Sequence, residues 1–227
     1  MKITPFNVAV LDDSQDTLLS RWIEKDGRLD HDGAIPIHYL PHIRHGDVVI
    51  DAGAALGDHT IAYIKACGFD DNVFAFECNP LMLECLRHNC PGAKIHPVAL
   101  SDENGKAWMV NHNDNPGGNF LTKDSSLGYE VTTAKLDSFG FTRINFIKWD
   151  IEGYELRALM GAIETVSRCR PKMIMEVNPW MLKRAGTSVD ELFSMMAMLR
   201  YSIQQIMGDP PNPSDPESRG EFLFLPQ

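Results

Sequence analysis

The chain has 227 residues, 44% hydrophobic and 23% charged, and a formal net charge of −10. That length holds one α/β domain with a sizeable core, the composition is neither disordered nor fibrous, and no apolar run approaches the ~20 residues of a membrane span. The negative surplus makes nucleic acid an unfavourable partner. Five cysteines, an odd number with no CxxC pair, argue against a disulfide or metal framework and for a reducing cytoplasm.

The first 45 residues read as an N-terminal helical extension, a lid or a clamp on the sheet. Met1 to Val10, closely followed by Asp12 and Asp13, is too short and too acidic behind it for a secretory signal. Leu18, Leu19, Trp22 and Ile23 stand at helical spacing after Asp13-Ser14, and Gly27, Gly33, Pro36 and Pro41 break the chain beyond them. A single domain over 46–227 follows, in which strand and helix alternate. Val48-Val-Ile50 predicts a first strand, and Gly57 to Cys67 a helix with Ile61 and Ile64 on one face. Val73 to Phe76 predicts a second strand, and Leu81 to Asn89 a helix with Met82, Cys85 and Leu86 inward. Ile95 to Leu100 reads as a third strand, and residues 101–136, rich in turn residues, as an inserted hairpin. Asn145 to Lys148 predicts a fourth strand. Leu156, Leu159, Met160, Ile163 and Val166 stripe one helix from Gly153 to Val166. Met173 to Val177 predicts a fifth strand. Ser188 and Glu191 form a capping box for a helix with Leu192, Met195, Met196 and Leu199 inside. Tyr201 to Ile206 and Glu221 to Leu225 read as a last pair of strands, joined by a loop rich in proline. Strands spaced by helices imply parallel βαβ units and a sheet covered on both faces.

The chemistry concentrates at strand ends. The first strand runs into Asp51-Ala-Gly53-Ala54-Ala-Leu-Gly57, and in open α/β sheets ligands bind at that carboxyl end. A dinucleotide fingerprint reads G-x-G-x-x-G and seats a pyrophosphate on the helix N-terminus. Here Asp51 and Leu56 stand where its first and third glycines would be, and a carboxylate repels pyrophosphate. S-adenosylmethionine carries a sulfonium and an ammonium, which an acidic turn suits. Glu77 ends the second strand, roughly 20 residues past the turn, where a carboxylate accepts ribose hydroxyls. Ser101 and Asp102 lie at the third strand's tip, in reach of an adenine amino group.

These residues resemble a known family. Asp51-Ala-Gly-Ala-Ala-Leu-Gly-Asp-His-Thr60, Phe74-Ala-Phe-Glu-Cys-Asn-Pro80, Val98-Ala-Leu-Ser-Asp102 and Ile147-Lys-Trp-Asp-Ile-Glu-Gly-Tyr-Glu155 together are similar to the FkbM methyltransferases, over about residues 46–180. The resemblance implies the class I Rossmann-like fold, a mostly parallel seven-stranded sheet with a final antiparallel strand. It also implies S-adenosyl-L-methionine as cofactor and methyl transfer to a hydroxyl of a sugar or polyketide-type metabolite. Carried onto this chain, it assigns Asp51, Gly53, Ala54 and Gly57 to the methionine end, Glu77 and Cys78 to the ribose, and Ser101 and Asp102 to the adenine. Two departures stand out: Ala55-Leu56 where the family has Asn-Ile, and Cys78-Asn79 before Pro80 where it has proline directly after the glutamate.

Catalysis is expected at the fourth strand. Asp150 sits at its tip, beside the sulfonium, and Glu152 and Glu155 share a face at the helix start, where they also complement the helix dipole. Asp150, Glu152 and His59 are the candidate bases, with His112 a further one. Asp150 with Glu176 or Asn178 could hold a divalent metal, as in catechol-type methyltransferases. The preferred reading is that Glu176 orders the Asp150 loop by hydrogen bonds. Asn111 to Asn119 reads as a loop for acceptor hydroxyls or a solvated tip, and Trp149 and Trp180 as sugar-stacking or core residues. The expected partner is a small-molecule or glycan acceptor, with no nucleic acid and no membrane. A dinucleotide-dependent oxidoreductase and a non-catalytic adenosine-binding module are the competing readings.

Overall fold

The computed structural model describes residues 1–12, 15, 19–29, 38–111, 118–208, 210–212, 215 and 218–227. Expectations placed on Asp13, Ser14, Leu18, Gly33, Pro36 and His112 lie outside the described residues. Strands β1 (Lys2–Ile3) and β2 (Ala9–Val10) pair antiparallel and precede helix α1 (Leu19–Asp26). Then come β3 (Val49–Ala52), α2 (Asp58–Cys67), β4 (Val73–Phe76), α3 (Pro80–Asn89), β5 (Lys94–His96), β6 (Ala99–Leu100), β7 (Gly105–Val110), β8 (Phe120–Thr122) and β9 (Tyr129–Ala134). The chain continues through β10 (Phe146–Trp149), α4 (Glu155–Met160), α5 (Ile163–Cys169), β11 (Lys172–Val177), α6 (Pro179–Arg184), α7 (Val189–Met198), β12 (Tyr201–Gly208) and β13 (Gly220–Pro226). No helix among the described residues is long and apolar enough to cross a membrane.

A seven-stranded sheet runs in the order β12-β13-β11-β10-β3-β4-β5. β10 pairs in parallel with both β3 and β11, β3 with β4 and β4 with β5, while β13 is antiparallel to its neighbours. This is the class I methyltransferase architecture expected above. The chain leaves β3 toward one edge and returns at β10 toward the other, so a crevice opens where β3 and β10 end side by side. Both strands are buried along their whole length, as strands covered on two faces must be, so apart from Asp51 and Lys148 they read as apolar runs. Local chemistry sets the helix starts. Asn79 accepts from Leu81 N–H ahead of Pro80 in α3, and Ser188 accepts from Glu191 N–H and opens α7.

Several elements differ from expectation. The third strand is two: β5 is the edge of the large sheet, Pro97 follows it with no N–H to add to its ladder with β4, and β6 pairs in a second sheet. That sheet, β6-β9-β7-β8, is larger than the hairpin foreseen over 101–136, because β6 pairs with β9 in parallel across the insertion. The helix expected over Gly153 to Val166 breaks into α4 and α5. Gly161 passes so close to Ser101 that a Cβ would lie 2.0 Å from its carbonyl oxygen, and Asp137 caps α5 by accepting from Glu164 and Thr165 N–H. Leu156, Leu159 and Val166 are buried as expected, whereas Met160 and Ile163 are exposed. On α2 the buried face is Thr60, Ala62, Tyr63 and Cys67, with Ile61 and Ile64 only half-buried.

The N-terminal residues join the core. Val10, Leu11, Ile23 and Leu29 share a buried cluster with Ala54, Leu56 and Leu86. Asn89 of α3 pins β2 by bonding both the N–H and the carbonyl of Ala9.

Candidate functional site

The turn after β3 is shaped by its neighbours. Gly53 has φ 86°, and a Cβ there would lie 1.8 Å from the Asp150 carbonyl oxygen. Only glycine fits where the two strand ends converge. Gly53 and Ala54 both donate their N–H to the Phe76 carbonyl, and Ala55, at φ 46°, donates to Glu77 Oε2 at 2.9 Å. Gly57 serves a different contact from the one foreseen: a Cβ would meet Cys90 Sγ at 2.8 Å, so it seats α2 on α3. Asp58 opens α2, where its carboxylate is favoured by the first N–H groups of the helix. A pyrophosphate would need that same place.

Glu77 braces the opposite wall. Its Oε1 accepts from Cys78 N–H at 2.8 Å and Asn79 N–H at 2.7 Å. Burial raises its pKa, and these three N–H groups only partly offset the rise. Between Glu77 and the tip of β10 lies a cavity of about 600 Å³, open solvent at its mouth included. Gly53, Glu77 and Cys78 line one part of it and Asp150, Ile151 and Glu152 another. Apolar side chains from Met82, Val98 to Leu100, Met109 and Leu121 line it as well.

The tip of β10 is acidic and crowded. Asp150 Oδ2 pairs with Lys148 Nζ at 2.5 Å, and Lys148 is only 2% exposed. Burial works against its charge, but Asp150, Glu221 and Asp51 outweigh burial and hold its pKa above the usual lysine value. Glu152 stands at φ 52°. Burial, with Asp150, Glu176 and Glu155 nearby, raises its carboxyl well above the ordinary range. One carboxylate oxygen each from Asp150, Glu152 and Glu176 lie within 4.8 Å of one another. Glu176 thus converges on Asp150, but Asn178 does not, because it caps α6 by accepting from Trp180 and Met181 N–H. Nor does Glu176 order the loop as expected. Its ion partner is Arg219 at 3.9 Å, and the loop amides bond Glu155 instead.

Besides Gly57, five expected site residues fall outside the cavity lining. Asp51 is fully buried and accepts from the Thr60 hydroxyl at 2.6 Å, so its side chain serves the α2 face, and burial lifts its pKa to about 6. The carboxylate at the crevice is that of Asp150 instead, which lines the cavity. Ala54 is likewise buried, with its N–H spent on Phe76. Ser101 donates to Asp102 Oδ1, and Asp102 Oδ2 pairs with Arg157 at 2.9 Å, which ties both residues to α4. His59 lies against the rings of Tyr39 and Tyr63 and 3.9 Å from Asp58, away from the lining. Trp149 is wholly buried, whereas Trp180 is 37% exposed and stacks on Arg184. Of the polar segment Asn111 to Asn119, Asn119 lines the cavity and residues 112–117 lie outside the described residues. Lys148 and Met109 were missed. A lysine inside an otherwise apolar strand was the visible signal for the first, and the second had none.

No curated protein matches the sequence. Solved structures do. The methyltransferase FkbM from Methylobacillus flagellatus matches with a TM-score of 0.55 at 17% identity, over 89% of this chain and 54% of that one. The chain therefore spans about half the length of that relative. A TehB-like methyltransferase from Corynebacterium glutamicum gives 0.53 at 11% identity, covering 91% and 94% of the two chains. A Streptococcus mutans methyltransferase solved with SAH gives 0.52 at 10%, covering 85% and 95%. At these identities the likeness is one of fold. The family model described as the methyltransferase FkbM domain matches residues 51–203. With two thirds of its length inside that match, the chain belongs to the FkbM methyltransferase family.

Proposed function

We propose that the protein moves the methyl group of S-adenosylmethionine to a hydroxyl oxygen of a small metabolite, sugar or polyketide-type acceptor. The observation that carries this reading is the polarity of the cavity: Glu77 on the β4 side, Asp150 and Glu152 on the β10 side, and no lysine or arginine among the described residues that line it. A donor with two positive centres and a neutral ribose suits that lining. A pyrophosphate does not, and the helix terminus it would use holds Asp58. Family membership and the SAH-bound relative of the same fold support the same donor.

S-adenosylmethionine supplies a methyl already activated by positive sulfur. Glu77 keeps lone pairs for the ribose hydroxyls. Met82, Val98 and Leu100 offer apolar faces to the adenine. Asp150, anchored through Oδ2 by Lys148, has its other oxygen for the cationic end. Burial and acidic neighbours raise the Glu152 carboxyl, which makes its ionised form a stronger base, and in that form it takes the acceptor's hydroxyl proton. Lys148 and Arg219 already supply positive charge to the Asp150–Glu176 group, so the transfer is expected to run without a divalent ion.

Calorimetry with S-adenosylmethionine, SAH and NAD, followed by labelled-methyl transfer to a panel of hydroxylated acceptors with and without chelator, tests this. Binding of the first two and not NAD is expected, with a rate indifferent to chelator. NAD binding would restore the oxidoreductase reading. Donor binding with no acceptor ever methylated would favour an adenosine-binding module.

A further inference from the structure

We infer that Glu155 is the positioning residue of the acidic tip, fixing through one carboxylate oxygen the turn that carries Asp150 and Glu152 to the cavity. The inference rests on the methyl-donor reading above. Between β10 and α4 the chain reverses through Ile151, Glu152 and Gly153. Glu152 has φ 52° and Gly153 φ 97°. A non-glycine residue held in the left-handed region persists only where its surroundings enforce it.

Two walls enforce it here. On one side Gly153 packs on α6 so tightly that a Cβ would lie 2.4 Å from the Met181 carbonyl oxygen. On the other, the N–H groups of Ile151 and Gly153 converge on a single atom, Glu155 Oε1, each at 3.2 Å. Glu155 is 2% exposed and its bond from Gly153 is buried, so water cannot stand in as acceptor for that N–H. Its second oxygen, Oε2, is buried with no hydrogen-bond partner. Glu155 does not line the cavity, whereas Asp150, Ile151 and Glu152 do. It therefore acts on the donor only through the turn, and the feature that matters is an acceptor oxygen at the Oε1 position. The nearby charges, Asp150 and Glu152, are of its own sign, so no attraction of opposite charge calls for a carboxylate there.

This separates position from charge. Glu155→Gln can keep its carbonyl oxygen on both N–H groups. Glu155→Leu keeps the volume and neither bond. The full chain in its wild-type, Gln and Leu forms would be titrated with S-adenosylmethionine and with SAH, and hydrogen exchange followed at the amides of residues 151 and 153. The Gln variant should bind both ligands within about threefold of wild type and keep slow exchange. The Leu variant should exchange rapidly there and lose about tenfold in S-adenosylmethionine affinity. Its loss toward SAH should be smaller, since a neutral sulfur needs the two carboxylates less. A general loss of stability would leave that ligand ratio unchanged. A Gln variant as impaired as Leu would overturn the inference in favour of a role for the charge, and so would a Leu variant with wild-type ratio and slow exchange. Should the Leu variant not fold, Glu155→Asp, which withdraws the oxygen by one methylene, is expected to lose what Gln keeps, and an unaltered Asp variant would refute the idea. A wild-type protein that binds neither ligand would instead refute the donor reading, and the exchange data alone would then decide Glu155.

Discussion

Replacing Glu77 by glutamine tests the cavity wall most directly. The Glu77 carboxylate accepts three N–H bonds, from Ala55 at 2.9 Å, Cys78 at 2.8 Å and Asn79 at 2.7 Å. Two fall on Oε1, so a glutamine carbonyl can keep them. The amide NH2 then faces Ala55 N–H, donor against donor, in a site where the residue is 7% exposed. Losing a bond to a charged acceptor costs about 1.5–3 kcal/mol, and the two bonds that remain lose their charge assistance, so about 3 kcal/mol is expected in all. In a domain of this size each kcal/mol moves Tm by roughly 2–4 °C, and Tm should fall by about 6–12 °C. The weakened ribose contact should cost about 10–100-fold in SAH affinity. Thermal melts at pH 7 and calorimetry with SAH measure both. A variant with Tm within about 2 °C of wild type and undiminished SAH affinity would show that Glu77 neither braces the wall nor meets the ligand.

Three further outcomes are expected. Gly53→Ala puts a Cβ 1.8 Å from the Asp150 carbonyl at φ 86°, whereas Gly46→Ala at φ 83° meets nothing within 4 Å. The first should abolish SAH binding and the second cost only about 1 kcal/mol in thermal melts, and equal effects would contradict the close approach. Thr60→Val removes the hydroxyl that Asp51 accepts from and should lower stability by about 1–3 kcal/mol, measured by denaturant unfolding. The carboxyl of Asp51 titrates near about 6 in the fold and that of Glu155 near about 7, both raised chiefly by burial. Unfolded carboxyls titrate near about 4. Between those limits the native state holds protons that the unfolded chain has released, so these groups make stability fall as pH rises from about 4 to 7. Tm should be higher at pH 5 than at pH 8, and a rise across that interval would refute the assignment.

The elements legible in the chain were those whose causes are local. Val49 to Ala52 and Phe146 to Trp149 are buried on both faces, so apolar residues interrupted only by Asp51 and Lys148 are their signature. Asn79-Pro80 and Ser188 with Glu191 cap helices through atoms at most three residues away. The family motifs likewise pointed to the crevice, because Gly53 and Glu77 sit at strand ends whose order follows from alternating strands and helices. What depends on long-range approach was hidden. Pro97 hands the chain to a second sheet only because β6 meets β9 from beyond the insertion. Asp51 lies at the foreseen strand end, yet its side chain goes to Thr60 and the α2 face, a direction that follows from packing between layers and not from position in the motif. The approach of Glu176 to Asp150 was foreseen from neighbouring strand ends, but no spacing along the chain encodes that Glu152 joins them within 4.8 Å. Periodicity reports which face of an element is apolar. It carries no information on which partner's backbone fills the space a glycine's Cβ would need, or on which buried amide a carboxylate will satisfy, and those contacts shape this site.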